Sequence, residues 1–218
     1  MSVSTTSRTR REPCVVVAAE HTGWAHLLCV AAPGNVPAVI ERRRVTLIDA
    51  GLPTQPYEHE STAMREGEAD ALIARVRRSA VARSSRALQL VVAELAPAYA
   101  AVALAIRKPP FADLPRTVAA VRKSHRLVCC ADGMLYQLAI CAAARELELD
   151  VQMYRRGDEA ARAADQLGVT RGEIEEFVSR TGRPPGPPWT QEHRRAFAAG
   201  IAVLARHAGE RLRLRDES

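Results

Sequence analysis

Histidine and carboxylate side chains lie together in two short segments, and such groups can carry out hydrolysis or bind a metal ion. The sequence Tyr57-Glu58-His59-Glu60 places a histidine between two glutamates, and Glu20-His21 supplies another acid and another histidine. Imidazoles and carboxylates are the usual general acids and bases and are frequent zinc ligands. The alternative is a solvated loop whose acids complement the dipole of the helix that follows. Both interpretations stay open from the sequence.

Two further segments could bind a ligand or a partner. Asp132-Gly133 could face a phosphate at a helix start, although a turn with Asp132 as the N-cap explains the same residues. The segment GRPPGPPW, which ends at Trp189, favours an extended polyproline conformation that a partner could recognise. Alternatively, it sets the entry of the last helix, with Trp189 packed on the domain. The sequence contains no Walker-type phosphate loop, dinucleotide fingerprint or nucleophile elbow.

The net charge of +6 and the pI of about 9.4 favour an anionic partner, and DNA or RNA is the obvious candidate. The candidate contact residues form two groups, Arg42, Arg43 and Arg44, and Arg75, Arg77 and Arg78. The alternative is an arginine-rich solvated surface. Aromatic residues make up only 4% of the chain, which does not favour a base-stacking surface.

A length of 218 residues and an apolar content of 47% predict one domain with a full hydrophobic core. We expect a flexible basic tail over residues 1–12, the domain over residues 13–212 and a C-terminal tail over residues 213–218. The five cysteines show no CxxC spacing. Four lie in strand-like runs and Cys141 in a helical one, which indicates buried thiols in a reducing compartment. We expect a cytoplasmic location, with no apolar run long enough to span a membrane.

The order of apolar runs predicts an α/β fold. CVVVAAE and WAHLLCVAA flank a His-Thr-Gly turn, and VPAVIERRRVTLIDAG follows as a third antiparallel strand. A long helix over about residues 63–95 precedes YAAVALAI, which is typical of a buried parallel strand. Further helices follow, with the short strand LDVQMY between them and a final helix over about residues 190–212. We expect the Cys14–Ala19 strand to be central, antiparallel to Leu27–Ala31 and parallel to residues 99–106, in a mixed sheet with helices on both faces.

Three segments in this order resemble the ribonuclease-H-like superfamily, and within it the Holliday-junction-resolvase, or RuvC-like, branch. AAEHTGWAHLLCV resembles the first strand with its catalytic acid, the turn and the second strand. YAAVALAIRKPP, with the later helix DGMLYQLAICAAARELELDV, resembles the fourth strand and the helix that follows it. QEHRRAFAAGIAVLARH resembles the closing helix, in which two acids three residues apart precede small apolar residues. The resemblance implies a nuclease scaffold with a mixed sheet.

The resemblance also implies a set of catalytic acids, and this chain retains only part of it. Glu20 and Glu192 lie at two of the acid positions, whereas Arg107 and Arg195 replace the other two. Cutting a phosphodiester with two divalent ions needs several converging carboxylates, and arginines would repel those ions and pair with the glutamates. The resemblance therefore predicts a degenerate, salt-bridged site without a metal or other cofactor. We expect Mg²⁺ or Mn²⁺ as a cofactor only if the protein is an active nuclease that uses other acids.

Three functions are compatible with these observations. The first is a nucleic-acid-associated protein that uses the scaffold without catalysis. The second is an active metal-dependent endonuclease or resolvase with an altered acid set. The third is a protein-interaction or regulatory subunit, including a homodimer, that has kept the fold and lost nucleic acid.

Overall fold

The computed structural model describes residues 11–181, 188–208 and 212–215. The strands are β1 (Glu12–His21), β2 (Trp24–Ala31), β3 (Ala38–Thr46), β4 (Tyr99–Arg107) and β5 (Asp150–Tyr154). The helices are α1 (Glu66–Leu95), α2 (Val118–Arg122), α3 (His125–Glu146), α4 (Glu159–Leu167), α5 (Arg171–Thr181) and α6 (Gln191–His207), with short 3₁₀ turns at Pro33–Asn35 and Glu60–Ala63.

One five-stranded mixed sheet has the order β3-β2-β1-β4-β5. β1 pairs antiparallel with β2 and parallel with β4, and β5 pairs parallel with β4. The predicted central strand, hairpin and parallel partner are therefore confirmed. Short β-branched and small side chains in β1 allow both faces of this strand to be buried, as parallel strands in a two-sided core require.

Helices cover both faces of the sheet, as predicted. Alternate residues of β1 belong to opposite cores, with Val16 packing on the side of α1 and α3 and Val17 on the side of α4, α5 and α6. This two-residue alternation follows from the pleat of the strand. It leaves the two ends of the strands as the edges at which polar groups can gather.

The segment RLVCCADG is helical, so the prediction that it is strand-like is wrong. The Ser124 side chain accepts a hydrogen bond from the Leu127 backbone N–H and caps α3, which begins at His125, eight residues before the expected start near Gly133. As a consequence Cys129 is exposed and Cys130 is half-buried, whereas the other three cysteines are buried as expected. α3 is long and apolar enough to span a membrane by length and composition, contrary to expectation, and 61% of its apolar window is buried inside the fold. Core helices of soluble proteins pass the same test.

The expected tails are partly ordered. Glu12 begins β1, and Arg11 donates a hydrogen bond to the Ala96 carbonyl. At the other end, the Arg213 backbone N–H bonds the Asn35 carbonyl, and α6 ends at His207, before the expected boundary. Residues 1–10 and 216–218 lie outside the described part of the chain.

Gly200 lies where α6 approaches the sheet most closely. An added β-carbon would lie 2.7 Å from Val30 Cγ2 and 2.9 Å from Val17 Cγ2. We therefore expect Gly200→Ala to lower the free energy of unfolding by about 1–3 kcal/mol, measured by urea titration. Gly133→Ala is the matched control, because Gly133 is also helical and has no tertiary neighbour within 4 Å of such a carbon. The control should gain up to about 1 kcal/mol, and an equal loss in both variants would refute the packing argument.

Candidate functional site at the carboxyl edge of the sheet

A cavity of about 160 Å³ lies where the parallel strands β1, β4 and β5 end, beside the first turns of α6. The carboxyl ends of parallel strands meet at one edge, which is where open α/β sheets bind their ligands. The charged residues in its walls are Glu20, Arg107, Arg156, Glu159, Glu192 and Arg195. The four residues that the sequence places at the family's acid positions are thus brought together.

Glu20 near the end of β1 is buried, with a side chain only 3% exposed. Its Oε1 accepts hydrogen bonds from Arg107 Nε at 2.9 Å, from Arg107 Nη2 at 2.6 Å and from Gln137 Nε2 at 2.7 Å. Arg107 ends the neighbouring strand β4, and Gln137 lies on α3, which packs across the same edge. Two elements therefore direct three donors at one carboxylate oxygen.

Burial raises the pKa of Glu20 above the ordinary glutamate value, and the charge of Arg107 and the hydrogen bonds oppose that rise without cancelling it. The ion pair compensates for a buried charge that would otherwise be costly. Arg107 itself keeps 39% of its side chain exposed, so water reaches one side of the pair.

The two residues from α6 behave differently from each other. Glu192 pairs with His21, with Oε1 at 2.9 Å from the imidazole Nε2. Arg195, one helical turn later, is half-buried and makes no hydrogen bond or ion pair with any residue that the structure describes. Arg156, just beyond β5, is exposed and is equally unpaired within the described ranges.

The chain resembles solved structures of Thermus thermophilus RuvC. The structure of T. thermophilus RuvC in complex with Holliday junction substrate aligns with 92% of this chain and 97% of that chain, with a TM-score of 0.50 and 12% identity. The fold is ribonuclease-H-like. A second Thermus thermophilus RuvC structure has a TM-score of 0.44 and 13% identity over 89% of this chain and 95% of that one. No protein-family model and no curated protein matches the sequence.

The residues at this edge of the ribonuclease-H-like sheet do not fit a pair of divalent ions. Three carboxylates and three guanidinium groups line the cavity, so their formal charges cancel. Glu20 is bonded to Arg107, Glu192 to His21, and Glu159 accepts the Gly157 backbone N–H at 2.8 Å. Within residues 11–181, 188–208 and 212–215, no group of three or more His, Cys, Asp or Glu side chains could hold a metal ion. Two metals need converging carboxylates that are free to bind them.

A basic groove of about 740 Å³ continues from the cavity along the same edge. Arg107 and Arg156 line both spaces, and the groove adds the cations Lys108, Arg126 and Arg155. Lys108 and Arg155 are exposed and make no side-chain hydrogen bond or ion pair within the described part of the chain. Neither Lys108 nor Arg155 is among the contacts predicted from the sequence, although each directly follows a parallel strand, Lys108 after β4 and Arg155 after β5.

The arginines singled out from the sequence are placed differently. Arg43 pairs with Glu41 and Glu94, and Arg77 donates to the Tyr57 hydroxyl at 2.5 Å and to the Pro115 carbonyl at 3.0 Å. Arg42 lies over the Trp189 ring, and Arg44 lies over the Trp24 ring. Arg75 and Arg78 lie on the exposed surface of α1. None of the six lines the cavity or the groove.

The Tyr57-Glu58-His59-Glu60 loop does not join Glu20 and His21 in one site. The buried Asp132 carboxylate accepts the Tyr57 N–H at 2.9 Å and the Glu58 N–H at 3.1 Å, which fixes the loop to α3. Asp132 lies inside α3, so its interpretation as an N-cap is wrong. Burial raises the pKa of Asp132 to about 6.

The tryptophan of the proline-rich segment packs on the domain. Trp189 Nε1 donates to the Val178 carbonyl at 2.9 Å, and its ring stacks on His193. His193 accepts the Thr190 N–H and completes the capping box of α6. Residues 182–187 of the segment lie outside the described part of the chain.

Proposed function

We propose that this protein binds nucleic acid through the edge of its ribonuclease-H-like sheet and does not cleave it by a two-metal mechanism. The observation that carries the proposal is the bond between the Arg107 guanidinium and Glu20. A two-metal site needs carboxylates that are free to bind the ions, and here a cation is bonded to the carboxylate instead. The unpaired positive charge of the adjacent groove comes from other residues, Lys108 and Arg155.

The groove supports the binding half of the proposal. Lys108 and Arg155 project unpaired charge into a space of about 740 Å³, and Arg126 lies over the Phe111 ring. Phosphate contacts of this kind position a nucleic acid without reading its sequence. The solved T. thermophilus RuvC complex contains a Holliday junction, which makes four-way DNA the first ligand to test.

The active-nuclease alternative rests on the three carboxylates that line the small cavity. A protein-partner role would leave the groove without a nucleic-acid ligand. Both alternatives predict outcomes different from those of the proposal in one assay.

The test is fluorescence anisotropy with labelled four-way DNA, duplex DNA, single-stranded DNA and RNA over a series of salt concentrations. We expect roughly micromolar, sequence-tolerant binding that weakens steeply with salt. The variant Lys108→Gln/Arg155→Gln should reduce the salt slope by about 2, one for each lost phosphate contact. The control Arg75→Gln/Arg78→Gln removes the same charge from exposed positions on α1 and should leave the slope almost unchanged.

Cys129 gives an independent readout because it is exposed and lines the groove. Bound nucleic acid should slow its alkylation, while the buried Cys14 and Cys141 stay unreactive in either state. Gel analysis of the same samples with Mg²⁺ or Mn²⁺ should show no cleavage, in wild type or in Glu20→Ala. Metal-dependent product that disappears in Glu20→Ala would establish the nuclease alternative, and no binding of any ligand at low salt would favour the protein partner.

A further inference from the structure

Two guanidinium groups in the small cavity lack the partners that their neighbours have. Arg195 lies in the first turns of α6 and is half-buried, and Arg156 follows β5 and is exposed. Neither makes a hydrogen bond or an ion pair with the residues that the structure describes. Arg195 is partly buried, so leaving the five donors of its guanidinium without acceptors is unfavourable, whereas Arg156 is exposed and its donors reach water.

The acids of the cavity bond other groups and not these two arginines. Glu20 already accepts from Arg107 and Gln137. Glu192 is three residues from Arg195 on the same helix, the spacing at which an ion pair forms easily, yet it pairs with His21. The cavity therefore holds two cations without a partner in the described chain, next to carboxylates that are committed elsewhere.

We propose that Arg156 and Arg195 together hold one phosphate group of a nucleic-acid backbone. This inference rests on the proposed function and adds a specific subsite to it. A planar guanidinium matches the oxygen pairs of a phosphate, and two of them can clasp one group from opposite sides. A volume of about 160 Å³ admits a single phosphate rather than a base or a second nucleotide.

The cavity and the groove share two lining residues, so they lie side by side along the edge that a strand could follow. Arg107 and Arg156 line both spaces, so a backbone in the groove would bring successive phosphates past Lys108 and Arg155 before one enters the cavity. Arg107 is a positioning residue in this arrangement, because its charge is neutralised by Glu20 and it contacts no phosphate directly. Binding is non-covalent, and no bond forms or breaks.

A shared phosphate makes a distinctive prediction for salt dependence. Arg156→Gln, Arg195→Gln and the double variant should each weaken oligonucleotide binding by about tenfold or more. All three should lose the same single unit of salt slope, about 1, because only one phosphate is released. Two independent contacts would instead lose about 2 units in the double variant.

The control is Arg194→Gln, which removes the neighbouring half-buried charge on α6; Arg194 does not line the small cavity. It should change affinity much less than Arg195→Gln. Arg195→Lys retains the charge without the fork, so it should recover only part of the affinity. Thermal unfolding of each variant should match wild type, since the removed groups have no partner inside the described chain.

The source of the phosphate is identified by the ligand. A series of oligonucleotides carries one neutral methylphosphonate linkage, placed at a different position in each. At one position, the neutral linkage should abolish the difference in affinity between wild type and the double variant. If only a 5′-phosphorylated end responds, or inorganic phosphate competes at low concentration, the cavity binds a terminal or free phosphate and the backbone subsite is wrong. Unchanged binding of the double variant, with Lys108→Gln/Arg155→Gln still weakened, would refute this subsite and leave the proposed function standing.

Discussion

Replacing Arg107 by methionine is expected to lower the free energy of unfolding by about 2–3 kcal/mol, whereas Glu20→Gln should cost less than about 1 kcal/mol. The asymmetry follows from burial. Without Arg107 the Glu20 carboxylate, 3% exposed, keeps only the Gln137 amide as a partner, whereas without the charge of Glu20 the partly solvated Arg107 can still turn to water. The expected loss is below that of a fully buried pair because Arg107 is 39% exposed.

The double variant Glu20→Gln/Arg107→Met separates the ion pair from simple packing. Removing both charges should restore stability to within about 1 kcal/mol of wild type, since no buried charge is left without a partner. Urea unfolding of the four proteins gives the coupling energy. Losses that merely add in the double variant would show that Arg107 stabilises the fold through its hydrocarbon stem rather than through Glu20.

Acid pH should reduce the loss in Arg107→Met. Burial already raises the pKa of Glu20, and removing the opposing charge of Arg107 raises it further above the value in the unfolded chain. A carboxyl with a raised folded-state pKa contributes its full stability below the unfolded value and loses it as the pH rises through the folded value. The deficit relative to wild type should therefore shrink as the pH falls from neutrality toward the ordinary glutamate pKa. A constant deficit would contradict this origin.

The topology was predictable because the strands carry their own signals. Valine-rich β1 and alanine-rich β4 read as buried parallel strands, and the glycine turn at Gly23, with φ of 84°, marks the hairpin. The proximity of Glu20 and Arg107 was also predictable, since each lies near the carboxyl end of one of two neighbouring parallel strands. Arg155 and Arg156 directly follow β5, so their position at this edge was predictable in the same way. They are not among the predicted contacts, because a pair of arginines does not stand out in an arginine-rich sequence.

The partners of these residues were not predictable. Gln137 reaches Glu20 across 117 positions, and the contact depends on how α3 is rotated against the sheet. That rotation is set by packing, and the start of α3 depends on a serine cap just before an apolar run that looks like a strand. Glu192 likewise pairs with His21 rather than with Arg195, a choice that helical spacing alone does not reveal.

Placing acids at positions 107 and 195 should convert the site into one that binds metal. The variant Arg107→Glu/Arg195→Asp changes the cavity from three carboxylates and three guanidiniums to five carboxylates and one guanidinium. Repulsion between Glu20 and its new neighbour should lower the melting temperature in the presence of a chelator. Mn²⁺ would relieve that repulsion by binding the folded state only, and at a hundredfold excess over its dissociation constant it would add about 2.7 kcal/mol of stability.

The measurement is thermal unfolding with and without millimolar Mn²⁺, supported by calorimetric titration. Wild type should show neither a shift nor heat of binding, because its carboxylates are bonded and its cations oppose the ion. The variant Arg75→Glu/Arg78→Asp carries the same change in charge on the exposed surface of α1 and controls for general attraction of cations. Equal Mn²⁺ stabilisation of the two variants would indicate net charge alone. Tight Mn²⁺ binding by wild type would mean that the ion can displace Arg107 from Glu20, and the site would then have to be regarded as a functional metal centre.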